Sequence, residues 1–219
     1  MIEHGTAVEL DLALQYAPIS ARRDLSLLFE LDRRLADILR TTREPLIGEM
    51  RLIWWRDALG ALRDADAPAE PLLQDLSASG LTAPDMAAMA EGWAELLEPF
   101  PIEEAALLAF ATGRGGALFR MGGVCLGVGE FAGLEPAGQG WALADFAFHC
   151  SDAETSRRAL ALASPLLEGA FAKQWPKAAR PLGMIATLAL RDVRAGRPSL
   201  RPGSPGRQIA MLRHRLTGR

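Results

Sequence analysis

Residues 25–40 read Leu25-Ser26-Leu27-Leu28-Phe29-Glu30-Leu31-Asp32-Arg33-Arg34-Leu35-Ala36-Asp37-Ile38-Leu39-Arg40. At about 100° per residue, nine apolar side chains of this stretch, from Leu25 to Leu39, fill an arc of about 200°. Glu30, Arg33, Arg34, Asp37 and Arg40 take the remainder. A stripe with that period and width is the buried face of a helix inside a helical core, not a strand. Asp32 breaks the pattern, because it falls at about 340°, in the middle of the apolar arc. A buried charge without a partner is very costly, so this carboxylate requires an ion pair, hydrogen-bond donors or a metal. Two readings stay open: a structural pair with an arginine such as Arg51 or Arg22, or a ligand or metal site.

The rest of the chain agrees with the helical reading. Its 219 residues are 49% hydrophobic, rich in Ala and Leu and only 6% aromatic. Such a composition favours helix over strand, and the length suits one large all-α domain. The expected division is a helical domain over residues 1–196 and a basic loop and helix over 197–219. The net charge of −3 is spread evenly except at the C-terminal end, which carries Arg191, Arg194, Arg197, Arg201, Arg207, Arg213, Arg215 and Arg219. Such an end suits a solvated terminus or an anionic membrane surface, and no nucleic-acid partner is expected. Cys125 and Cys150 have no CxxC spacing, which fits a reducing compartment. The N-terminus lacks the form of a signal peptide, and the Gly-rich apolar run of residues 115–129 is too short to span a bilayer. A cytoplasmic protein, at most peripheral to the inner membrane, is expected.

Helix punctuation divides the chain into about eight helices. They are expected near residues 9–15, 20–40, 45–64, 82–99, 101–121, 141–150, 153–175 and 181–195, with a terminal helix after Pro205. Residues 66–71 read as a linker with a short helical turn after it, and Gly133–Gly140 reads as a loop. Thr82-Ala83-Pro84-Asp85 and Ser151-Asp152-Ala153-Glu154 have the form of capping boxes. The glycines at 113, 115, 116, 122 and 123 do not follow a strand, which excludes a phosphate loop. They fit close helix packing or clearance for a ligand.

Two further clusters carry chemistry. In the helix after Pro45, Trp54 and Trp55 point about 100° apart, so one belongs to the core and the other to an interface or cavity wall. Arg51 lies four residues before Trp55, within stacking reach, and an arginine on such a wall can fork onto a diphosphate. Later, Asp145, His149 and Asp152 share one helix face with chelating spacing. Against metal binding stand a half-buried His149 held by Asp145 and an Asp152 that only supports a helix N-terminus.

The segments Ala21–Arg33 and Thr41–Arg56, the latter with Met50-Arg51-Leu52-Ile53-Trp54-Trp55-Arg56, resemble the N-terminal region of the squalene/phytoene synthase family. Gly113-Arg114-Gly115-Gly116 is similar to the small-residue segment midway along that family, and Trp141–Asp152 holds the place of its second aspartate-rich helix. The resemblance implies an all-α isoprenoid synthase fold of terpenoid biosynthesis. In active members two aspartate motifs face each other across a cavity and hold magnesium, which binds the diphosphates of two prenyl donors joined head to head. Carried over residue by residue, Arg33 matches the motif arginine and Asp37 one motif carboxylate. Ala36, Arg40 and His149 stand where acids belong, while Asp145 takes the first polar position of the second motif. The chain is also shorter than family enzymes over residues 151–175. The chain resembles the divergent branch that includes the mitochondrial assembly factor for respiratory complex I more than it resembles the carotenoid enzymes.

These departures imply a family member with degenerate aspartate motifs, a pseudoenzyme candidate without a cofactor, which binds a prenyl chain or assists membrane-complex assembly. The first alternative is an active Mg2+-dependent head-to-head prenyl diphosphate transferase. Its rearranged site would draw on Asp32, Asp37, Asp145, His149 and Asp152, with Arg33 and Arg51 on diphosphate and Trp54, Trp55, Gly113, Gly116 and Trp141 lining the cavity. The second is an interaction scaffold at a membrane surface.

Overall fold

The computed structural model describes residues 4–62, 66–199 and 201–219. Every regular element among them is helical. In chain order they are α1 (His4–Gln15), α2 (Ile19–Thr41), α3 (Pro45–Gly60), α4 (Pro71–Ser77), α5 (Ala83–Ala94), α6 (Glu104–Phe110), α7 (Ala117–Cys125), α8 (Leu134–His149), α9 (Ala153–Ala170), α10 (Arg180–Ala195) and α11 (Pro205–Thr217). None is long and apolar enough to cross a membrane, among the described residues.

The apolar stripe of α2 enters the core as its period requires, burying Leu25, Leu28, Leu31, Leu35 and Ile38, with Asp32 among them. Around it α3 contributes Leu52, Trp55 and Leu59; α5 contributes Met86, Met89 and Trp93; and α8 contributes Ala137, Ala142 and Leu143. Helices α6 and α7 form one continuous rod joined by a π-turn at Ala111–Gly116. The helix α11 closes onto α10 through buried Met211 and His214. Arg180 ties the two together by donating to the carbonyls of Arg215 (3.1 Å) and Leu216 (2.7 Å) at the end of α11.

Several element boundaries differ from the sequence expectation. Residues 134–140 are helical, not a loop: Leu134 starts α8, and Gly138 and Gly140 are kept inside it by close neighbours. A Cβ on Gly138 would lie 2.1 Å from the Gly115 carbonyl oxygen, and one on Gly140 would lie 2.6 Å from Leu167 Cγ. Thr82 precedes α5 without capping it, since its hydroxyl donates to Asp85 Oδ2 (2.8 Å). At the second box Asp152 is itself the cap, accepting the Thr155 N–H at 2.7 Å, and α9 ends at Ala170, before the expected position. The helix α3 reaches Gly60; its expected end at Asp64 lies outside the described residues.

Candidate functional site

The π-turn gathers Gly113-Arg114-Gly115-Gly116, and its glycines set where the neighbouring helices come to rest. A Cβ on Gly113 would lie 2.6 Å from the Ala88 carbonyl oxygen and 2.7 Å from Gly92 Cα, so only hydrogen fits against α5. A Cβ on Gly115 would lie 2.0 Å from the Gly138 carbonyl oxygen, so α8 approaches equally closely. Arg114 stands between these two backbone contacts and is 3% exposed. Insertion of a π-turn changes the register of a helix face, a device that often accompanies a functional or structural special residue.

Asp32 meets this arginine. Arg114 Nε donates to Asp32 Oδ1 (2.8 Å) and Nη2 to Oδ2 (2.9 Å), a fork-on-fork pair. The Trp93 indole N–H donates to the same Oδ1 at 3.1 Å, so α5 also contributes. On the other side Arg114 Nη2 reaches Asp145 Oδ2 on α8 at 2.7 Å. The guanidinium carbon lies 4.4 Å from the Trp93 ring centre and 4.6 Å from that of Trp141. The cation is therefore stacked between two indoles and held at its edge by two carboxylates. Burial pushes the Arg114 pKa down, but the attraction of Asp32 and then Asp145, with their hydrogen bonds, outweighs it and holds the group above the ordinary arginine range. It is a permanent buried charge.

The partner of Asp32 is thus neither Arg51 nor Arg22. Arg51 projects outward and donates to Thr42 Oγ1 (2.8 Å), while Arg22 Nε donates to the Ala17 carbonyl (3.0 Å) at the start of α2. Nor does Arg51 stack on Trp55; Arg34 does, at 5.8 Å. Trp55 is in the core and Trp54 is 47% exposed, the two rings meeting edge to face. Arg33 lies outside, paired with Glu30. Asp37 is paired with Arg40 (2.6 Å), one and a half turns beyond Asp32 on the flank of α2.

His149 is exposed at the end of α8, with Nδ1 2.7 Å from the Asp145 carbonyl oxygen and 3.6 Å from its carboxylate. It is not the half-buried histidine expected, because it falls on the outer side of the last turn of α8, whose inner side is taken by buried Ala147. Asp152 points to the start of α9, and its bonds to Thr155 hold its carboxyl below the usual range. Gly113 packs against α5 and Gly116 lies beside the Arg120–Glu135 pair. Trp141 is the one cavity-lining candidate that touches the buried cluster. The structure therefore brings Asp32, Asp145 and Trp141 together and leaves Asp37, His149, Arg33, Arg51 and Trp54 at the periphery. The residue that joins the first group, Arg114, was not singled out from sequence. Its signal was there: a lone arginine bracketed by glycines in an otherwise apolar run.

This donor set does not fit a magnesium–diphosphate centre. Asp32 and Asp145 share a cation already, Asp37 is bound to Arg40, and no three His, Cys, Asp or Glu side chains among the described residues are grouped to hold a metal. What the cluster can do is join α2, α5, the π-turn and α8 at one point.

The helices around this point define an all-α protein of the isoprenoid synthase type. The family model described as squalene/phytoene synthase matches residues 6–170, three quarters of the chain, and the chain belongs to that family. No curated protein and no solved structure matches it.

Proposed function

We propose that this protein is a non-catalytic member of the squalene/phytoene synthase family that acts by binding a partner through its outer surface, in the assembly of a membrane-bound complex. The observation that carries this reading is the Arg114 guanidinium, bound by carboxylates from α2 and α8 and stacked between Trp93 and Trp141. Ionisation of a prenyl diphosphate needs metal or cationic charge on the leaving group and a dry apolar space for the cation. Here buried Asp32 and half-buried Asp145 are both engaged by an arginine, and two indole rings lie against that arginine.

The outer surface offers what such a role requires. Leu46, Ile47, Met50, Ile53 and Trp54 lie on the solvent side of α3, each between 40% and 66% exposed, while Leu52, Trp55 and Leu59 anchor its other side. A helix apolar on both faces, one of them uncovered, marks a protein-contact surface. The similarity to the complex I assembly-factor branch points the same way. The purified chain, incubated with farnesyl or geranylgeranyl diphosphate and Mg2+, is expected to give no head-to-head product above a protein-free control. A squalene- or phytoene-like product formed in proportion to enzyme would overturn the proposal.

A further inference from the structure

Residues 171–219 lie beyond the stretch that the family accounts for, and they build a second polar feature. The end of α10, the loop after it and the first turn of α11 enclose a cleft of about 350 Å³ lined by Arg191, Arg197, Arg201, Arg207, Ser199 and Ser204. Its wall is braced from the far end of the chain. Arg207 donates to Glu9 Oε1 (2.6 Å) and Asp192 Oδ1 (2.6 Å), and the Gly203 N–H donates to the same Glu9 oxygen (2.7 Å). The brace neutralises Arg207 and holds the loop against α1. Arg197 and Arg201 make no ion pair among the described residues, Arg191 has only its neighbour Asp192 beside it, and all three are exposed at the cleft. The Ser204 hydroxyl makes no cap bond to α11, and the Gly206 amide stands at that helix's open first turn.

We infer that this cleft is a phosphate-binding site, independent of the buried cluster and of the role proposed above. Four arginines against Asp192 and Glu9 leave two positive charges, an excess that favours a phosphate group. Guanidinium forks, a serine hydroxyl and a helix-terminal amide are the donors such a group accepts. Glu9 fixes Gly203 and Arg207, so that side of the cleft is formed before the anion arrives. The phosphate can belong to a soluble molecule or to a lipid headgroup.

The test uses the full chain. Binding is measured by calorimetry with inorganic pyrophosphate and inorganic phosphate. Flotation is measured with vesicles of phosphatidylcholine alone and of three parts phosphatidylcholine to one part phosphatidylglycerol. The double variant Arg197→Ala/Arg201→Ala, which removes two exposed side chains and no packing, is expected to weaken binding roughly tenfold or more. The control Arg23→Ala/Arg43→Ala should leave it unchanged. Binding of pyrophosphate identifies a soluble phosphate source, and binding only to the phosphatidylglycerol vesicles identifies a lipid headgroup. No binding to any probe, vesicle binding that ignores phosphatidylglycerol with no binding of either inorganic anion, or binding unaltered by the double variant overturns the assignment.

Discussion

Replacing Asp32 by Ala isolates the contribution of the buried cluster. The carboxylate accepts three hydrogen bonds, two from Arg114 and one from Trp93, and is 4% exposed. Without it Arg114 keeps Asp145 at 2.7 Å and a long contact of 3.5 Å to the Ala142 carbonyl, while the Trp93 N–H has no acceptor. Breaking one side of a buried pair costs about 3–5 kcal/mol, and an unsatisfied buried donor adds about 1–3. Asp145 retains part of the charge balance, so the expected loss is about 4 kcal/mol, a large share of the roughly 5–15 kcal/mol a domain has. With a urea slope of about 1–3 kcal/mol per molar, the midpoint followed by far-UV circular dichroism should fall by roughly 2 M. Asp145→Ala, at a carboxylate about a third exposed, should cost only about 1 kcal/mol, because water reaches the vacated side. The double variant Asp32→Leu/Arg114→Met removes the buried pair together and should recover part of the loss, the Trp93 N–H staying without an acceptor. The reasoning fails if Asp32→Ala costs less than about 1 kcal/mol, or if the double variant is as unstable as the two single changes added.

Two further predictions concern packing and pH. Gly115→Ala places a methyl group 2.0 Å from the Gly138 oxygen and should cost more than about 3 kcal/mol or abolish folding. Gly169→Ala, in the last turn of α9 with nothing within 4 Å, should gain about 0.5–1 kcal/mol, and thermal melts of the two variants separate the cases. His214 is fully buried between α10 and α11 with neither ring nitrogen bonded; Arg180 is its charged neighbour, and Phe171 and Trp175 face it as rings. Burial, and then Arg180, push its pKa down to about 4. The unfolded chain then binds the extra proton between about pH 6.5 and 4, so stability is full above that window and falls by ~3 kcal/mol across it as pH drops. Urea midpoints at pH 7 and pH 5 should differ more in the parent than in His214→Met; identical pH slopes would falsify this.

The fold was readable because it rests on repeated signals: the α2 stripe and the prolines in the first turns of α3, α5 and α11. Residues 134–140 misled because glycine and proline usually punctuate, whereas Gly138 and Gly140 are there for backbone contact with partners far away in sequence. The cluster was half readable. That Asp32 must have a buried partner followed from its place on the apolar face, but which arginine supplies it depends on how α2 and the π-turn cross, 82 residues apart. Periodicity is silent about that. The π-turn compounds the difficulty, since an extra residue in the turn shifts every face a regular helix would assign to Arg114.

The two charged regions of the molecule are arranged oppositely, and this bears on where an anion can go. In the interior, Asp32 and Asp145 against Arg114 leave one negative charge, partly open to water on the Asp145 side. A diphosphate approaching α2 and α8 would meet that residual charge at a guanidinium already engaged by two carboxylates, and displacing Arg114 would strand a buried cation beside two indoles. At the α10–α11 cleft the balance is reversed, with unpaired arginines facing solvent around a preformed hollow. Buried ion pairs contribute little net stability compared with apolar packing, and fixing which helices meet is their better-attested use. In this chain that use is visible: Gly92 on Gly113 and Gly115 on Gly138 let the backbones touch, and Arg114 joins the same three helices to α2 through Asp32. On the function proposed above, an interior committed to register in this way leaves recognition to the surface, where the apolar side of α3 and the arginine cleft both lie open.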